Sequence, residues 1–247
     1  MNRLVAAELL KFRTTRASIG FVLVIVALTG IGTAGTVGGA HRSELGTTEL
    51  TRKVVSGVVL AALIVFLIGV LSVTSEWRHG TITRTFLVTP RRTRVVVAKE
   101  IWIALLALAF TALAFVVALT IAVVWLAIDG SPSLAVDSGV VREAGRLVLV
   151  SVLWGMLGVG VGAVVQSQTF AIVGSVIWVL LVEALIAALL GLADLEAVAD
   201  YLPGRALSAF DGTEGGLSTW AGGAVALGWV VALGALGALR TSRQDVA

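Results

Sequence analysis

Two features of this chain have residue types and spacings that could do chemistry or carry force. The first is Ser75-Glu76-Trp77-Arg78-His79-Gly80-Thr81-Ile82-Thr83-Arg84-Thr85-Phe86-Leu87-Val88-Thr89-Pro90-Arg91-Arg92-Thr93-Arg94. It holds five arginines, a Gly-Thr-Ile turn, and a proline that stops whatever helix precedes it. A basic segment of this kind, between two strongly apolar runs, suits a grip by something in the cytoplasm. The second feature is Glu183, the one ionisable residue inside an apolar run. A charge near mid-bilayer costs several kcal/mol, so Glu183 is expected to face a bundle interior, a cavity or a partner. It reads equally as a substrate contact or proton-linked carboxylate and as a carboxyl that is protonated or hydrogen-bonded to a neighbouring helix.

Enzymatic constellations do not stand out. The three lysines follow Leu10, Arg52 and Ala98, so no G-x-x-x-x-G-K-[ST] phosphate loop is present. There is no G-x-S-x-G elbow and no H-E-x-x-H. With no cysteine there is no disulfide framework and no thiolate chemistry. His41 and His79 lie in different loops, outside the apolar runs. The chain is therefore expected to be no enzyme, to need no cofactor or metal, and to draw energy from elsewhere.

The elements that carry these residues are membrane spans. The 247 residues are 58% hydrophobic and 13% charged, with a mean hydropathy of +1.02. A soluble domain carries about 25% charge, so too little polar surface exists here to cover a core in water. The sequence pI of 9.9 might suggest nucleic acid, but the net charge is only +3 and the basic residues cluster beside apolar runs. No nucleic-acid partner is expected. Six runs approach or exceed the roughly 20 residues that cross a bilayer: Ser18–Val37, Val54–Val73, Ile101–Ile128, Leu147–Val165, Phe170–Leu192 and Trp220–Leu239. The first is expected to be a retained span rather than a cleaved leader.

Loop charge sets the orientation. With six spans, twelve lysines and arginines fall on one side: Arg3, Lys11, Arg13, Arg16, Arg78, Arg84, Arg91, Arg92, Arg94, Lys99, Arg240 and Arg243. Six fall on the other: Arg42, Arg52, Lys53, Arg142, Arg146 and Arg205. This predicts a multi-pass protein of the cell membrane with both termini cytoplasmic, lipid around it, and one domain over residues 1–247. The stretch from Arg94 to Ile128 would make a helix of ~52 Å at 1.5 Å per residue, so it must tilt, kink or protrude.

Residues 1–17 read as a basic interfacial helix. Leu4, Val5, Leu9 and Phe12 share one side, but Glu8 falls inside that stripe, which points Glu8 to a basic residue of the same protein or of a partner. Gly155, Gly158, Gly160 and Gly162 in span four, and five glycines in span six, permit close helix approach, either within the bundle or as a dimer face or sliding surface. Ala193–Thr219 alternates acidic and apolar residues around Leu202-Pro203-Gly204, which predicts short helices dipping into the outer interface.

Together these pieces resemble a known family. Six spans, an N-terminal helix carrying Glu8-Leu9-x-Lys11, and Glu76-x-x-x-Gly80-Thr81-Ile82 followed by Thr85, Pro90-Arg91 and Lys99 are similar to the membrane subunit of type-2 ABC exporters. Leu202-Pro203-Gly204-x-Ala206-Leu207 is similar to their external re-entrant element. The resemblance implies an all-α integral membrane fold with a cytoplasmic coupling helix between spans two and three, here Gly80–Leu87. It implies a second permease, identical or not, and a separate cytoplasmic ABC ATPase subunit as partners, and export of drugs, antibiotics, lipids or polysaccharides. It implies ATPase coupling through Glu76, Arg78, Gly80, Thr81, Ile82, Arg84, Thr85, Pro90 and Arg91, with Arg92 facing the ATPase or lipid headgroups. It also implies an N-terminal interface at Glu8 and Lys11 and a second, smaller contact at Gln166–Gln168. The alternatives are a secondary carrier or channel, which would show charge pairs within its spans, and a non-transporting scaffold or sensor.

Overall fold

A computed structural model describes residues 1–83, 85, 92–213 and 216–243, all of them in helices and their connections. Helix α1 (Asn2–Thr14) meets α2 (Arg16–Gly38) at the single extended residue Thr15, whose hydroxyl donates to the Lys11 carbonyl. Helix α3 (Thr48–Ser56) starts where Thr47 accepts the Leu50 N–H, and Glu49 in its first turn favours the positive end of the helix dipole. It passes through Gly57-Val58 into α4 (Val59–Arg78). Helix α5 (Arg92–Ile128) has 37 residues, or ~55 Å at 1.5 Å per residue. Asp137 caps α6 (Ser138–Val165) by accepting the Val140 N–H at 2.7 Å and pairs with Arg52 at 3.1 Å. These contacts hold its carboxyl below the ordinary range, the Val140 N–H most of all.

The chain then turns at Gln166, in the left-handed region at φ 58°, and enters α7 (Gln168–Ile177). A π-helical turn over Trp178–Val182 leads into α8 (Glu183–Leu192). Two short helices follow, α9 (Glu196–Ala199) and α10 (Pro203–Asp211), and then α11 (Thr219–Arg243). Short helices over Ala193–Thr219 are thus present.

Six helical stretches are long and apolar enough to cross a membrane: Arg16–Gly38, Thr48–Arg78, Arg92–Ile128, Ser138–Val165, Gln168–Leu192 and Thr219–Ser242. The fold is that of an all-α, multi-pass membrane protein. Ile31, Leu180, Phe170 and Leu192 project outward, an apolar exterior that suits lipid rather than water. In the most apolar window of Thr48–Arg78, 56% of residues are buried, against 11% for Gln168–Leu192. The second span is therefore central and the fifth peripheral. Most helices outrun the apolar runs read from sequence. Hydropathy marks the part that suits hydrocarbon, whereas a helix stops where its hydrogen-bond ladder is capped.

Close approach of α4 and α6 organises the bundle. A Cβ on Gly158 would collide with the Phe66 carbonyl oxygen, and one on Gly69 with that of Gly155. Gly160 and Gly237 likewise face Leu233 and Ala163 across the α6–α11 contact. These glycines serve packing inside one subunit and are not available as a dimer face. Gly158→Ala is expected to cost about 1–3 kcal/mol, because its new methyl meets backbone that cannot rotate away. Gly228→Ala, whose Cβ finds nothing within 4 Å, should be neutral or gain up to about 1 kcal/mol of helix propensity. Thermal unfolding of the two variants in detergent checks this; equal midpoints would contradict the close packing.

Two long-range hydrogen bonds gather one end of the bundle. Arg78 Nη1 donates to Gln168 Oε1 at 3.3 Å, and Arg92 Nη1 to the Thr241 carbonyl at 3.1 Å. The end of α4, the start of α5, the 166–168 turn and the end of α11 therefore lie together. Glu183 stands on the helix leading away from this end.

Candidate functional site

The site begins with the way α4 ends. The His79 N–H donates to the Ser75 carbonyl, the Gly80 N–H to Trp77, and the Thr81 N–H to Glu76 at 3.0 Å. With Gly80 left-handed at φ 64°, this is a Schellman cap, which satisfies carbonyls that a helix end otherwise leaves bare. The chain reverses here. Ile82, 6% exposed, packs with Val95 and Trp77, pinning the loop against α4 and α5. Thr81 stays exposed, and its carbonyl accepts the Thr85 N–H at 3.3 Å. Arg84, Phe86, Leu87, Pro90 and Arg91 lie outside the described residues, so three of the eight residues of the expected coupling helix Gly80–Leu87 are not described.

Beneath this loop sits a charged network. Lys99 on α5 is 1% exposed. Its Nζ lies 2.7 Å from Glu76 Oε1, 3.0 Å from Glu8 Oε1 and 2.7 Å from the Ser72 carbonyl. An ammonium has three N–H donors, and all three are used. Lys11 closes the ring, 2.6 Å from Glu76 Oε1 and 3.0 Å from Glu8 Oε1. The Thr85 hydroxyl reaches the other Glu76 oxygen at 3.4 Å. Two cations and two carboxylates cancel, which makes burial tolerable; a lone charge in such a place would cost several kcal/mol. Burial works against the Lys11 ammonium, but Glu8 and Glu76 outweigh it and hold its pKa above the ordinary value.

The network ties α1, α4 and α5 together directly beneath the Gly80 turn. A displacement of the loop must stretch it or carry α1 and α5 along. Glu8 thus meets basic residues of its own chain. Glu183 remains the only ionisable residue within the six apolar runs, but the helices continue past those runs and carry charged residues there. Glu76 lies on the Thr48–Arg78 helix, and Lys99 and Glu100 lie on Arg92–Ile128. Mutual neutralisation lets these helices carry charges inward that sequence reading assigned to a loop. Lys99 had counted mainly as a loop charge, and its buried state has no clear sequence signal beyond the spacing from Glu76. Glu100 was missed as well. Both its carboxylate oxygens are buried without a hydrogen-bond partner among the described residues, on the side facing Gly234.

Glu183 belongs to a separate place. It is 7% exposed, and its Oε1 accepts the Gly204 N–H at 2.7 Å, joining α8 to the start of α10. A Cβ on Gly204 would collide with this carboxylate. Arg205, paired with Asp200 at 3.1 Å, and the Trp178 side chain also act on it. Among the described residues, no group of three or more His, Cys, Asp or Glu is placed to hold a metal ion.

No family model matches this chain, and no curated protein matches it.

Proposed function

We propose that this chain is the transmembrane subunit of an ATP-driven ABC exporter, working as a dimer and powered by a separate cytoplasmic ATPase. In this reading the twelve-residue basic side faces the cytoplasm in the cell membrane, and the segment after Arg78 docks on the ATPase. One observation carries it: the Gly80 turn is rigidly capped and stands on a charged network joining three helices, Lys99 to Glu76 and Glu8. Force applied at an exposed turn of that construction passes to α1, α4 and α5 at once. In this reading nucleotide chemistry belongs to the partner, in keeping with a sequence that carries no G-x-x-x-x-G-K-[ST] phosphate loop. The tagged chain, purified alone, is expected to hydrolyse no ATP. Purified in mild detergent from its native membrane, it should bring a nucleotide-binding subunit with it and gain hydrolysis. Hydrolysis by the isolated chain, or repeated purification with no ATPase, would overturn this.

A secondary carrier is the second reading, because the buried Lys99–Glu76 pair joins two spanning helices as carriers often arrange their charges. It requires transport driven by an ion gradient in vesicles containing this chain alone.

A further inference from the structure

Along the α7–α8 helix, from Phe170 beside the 166–168 turn to Glu183, a cavity of about 260 Å³ opens between that helix and α4, α6, α10 and α11. Its walls are aromatic, with Phe66, Trp154, Phe170, Trp178 and Trp229, and among the described residues its one charged wall residue is Glu183. Ser175 also lines it, and the Ser175 hydroxyl is buried with no hydrogen-bond partner among the described residues. A buried hydroxyl left bare is costly, so its presence in a cavity wall points to something that visits.

The helix carrying these groups is specially built. Glu183 follows Ser175 by eight residues, which in a regular α-helix would set the two roughly 80° apart. The π turn over Trp178–Val182 inserts one extra residue between them. Seven effective steps bring Glu183 to within roughly 20° of the Ser175 face. The irregularity thus turns a carboxylate, which lipid would reject, into the aromatic chamber. The Gly204 N–H fixes one carboxyl oxygen there, at the head of the chamber.

We propose that this cavity binds a compact hydrophobic monocation, an ammonium with an apolar body. The Glu183 carboxylate and the Ser175 lone pairs face the cationic head. The electron-rich faces of Trp154, Trp178 and Trp229 hold the body and add cation–π attraction. At about 260 Å³ the cavity has room for a single-ring molecule. Arg205, whose Nη2 pairs with Asp200 at 3.1 Å, is not among the residues that line the cavity. Binding needs only this chain and no ATPase, so the exporter reading can fail without touching it.

The test uses benzyltrimethylammonium and its uncharged isostere neopentylbenzene, titrated calorimetrically into the purified full chain in detergent. The cation is expected to bind at least tenfold more tightly than the isostere. Glu183→Gln, which keeps an acceptor for Gly204, should remove that preference while leaving the isostere unchanged. Ser175→Leu fills the chamber without touching the Glu183–Gly204 bond and should weaken both ligands at least tenfold. Equal affinity of the two ligands for the wild type would overturn the proposal. So would a cation preference that survives Glu183→Gln, cation affinity that survives Ser175→Leu, or no cation binding at all. If Glu183→Gln does not fold, the wild-type comparison and Ser175→Leu still decide.

Discussion

Lys99→Met is expected to destabilise the protein by about 3–5 kcal/mol, the loss that follows when one partner of a buried ion network is removed. Methionine matches the length of the lysine stem but offers no N–H. Glu8 and Glu76 would then share only Lys11, which is half-exposed, and the Ser72 carbonyl would lose its cross-helix donor. Two carboxylate side chains, 10% and 6% exposed, would face each other across a single cation. Lys99→Arg should not rescue, since a planar guanidinium does not reproduce three donors radiating from one compact nitrogen. The triple variant Lys99→Met, Glu8→Gln, Glu76→Gln removes every uncompensated buried charge and should recover most of the loss. Thermal or denaturant unfolding in detergent, monitored by tryptophan fluorescence, measures all three. A Lys99→Met midpoint within about 0.5 kcal/mol of wild type would show that this lysine behaves as a surface residue and that the network is not what holds α1 to the bundle. The measured defect should also survive high salt, because buried pairs are screened far less than exposed ones.

Why this network was hard to read in sequence follows from its construction. Glu8, Glu76 and Lys99 are separated by 68 and 23 positions in the chain, and each has an ordinary loop explanation taken singly. Hydropathy rejects charges from spans, so Val54–Val73 and Ile101–Ile128 were cut short of Glu76 and Lys99. The helices nevertheless run to Arg78 and from Arg92. Only the third dimension shows that the charges cancel. Glu8 was legible in part, because it broke the apolar stripe of Leu4, Val5, Leu9 and Phe12 and so demanded a partner. The six spans were legible throughout, since ~30 Å of hydrocarbon imposes a length that composition displays directly. The close approach at Gly158 and Gly162 was also visible, as small residues four apart. Its meaning, packing against Phe66, Val70 and Val73 rather than against another subunit, required the coordinates. The π turn beside Glu183 left no trace, because Trp178–Val182 has the composition of any apolar helix.

On the proposed exporter reading, Gly80→Val should leave membrane insertion intact and sharply reduce ATP-coupled transport. A Cβ at Gly80 meets nothing within 4 Å, so no clash is involved. The penalty is conformational: a left-handed backbone at φ 64° costs an L-residue roughly 1–2 kcal/mol, and a β-branched one the most. Valine would relieve that strain by releasing the Thr81-to-Glu76 hydrogen bond and re-aiming the turn. Gly80→Asn is the informative companion, because asparagine visits the left-handed region and should keep coupling near wild type. Thr81 and Ile82 separate a partner contact from the chain's own packing. Thr81→Asp changes an exposed side chain and should weaken ATPase binding without changing the unfolding midpoint of the isolated chain. Ile82→Asp drives a charge between Val95 and Trp77 and should lower that midpoint as well. Arg42→Ala, exposed on the loop between α2 and α3, is the control and should alter neither property. ATPase co-purification, vesicle transport and unfolding midpoints for the five variants distinguish the cases. If Gly80→Val and Thr81→Asp bind the ATPase and transport as wild type does, the turn is not the coupling element. The basic segment would then serve only to orient the chain in the membrane.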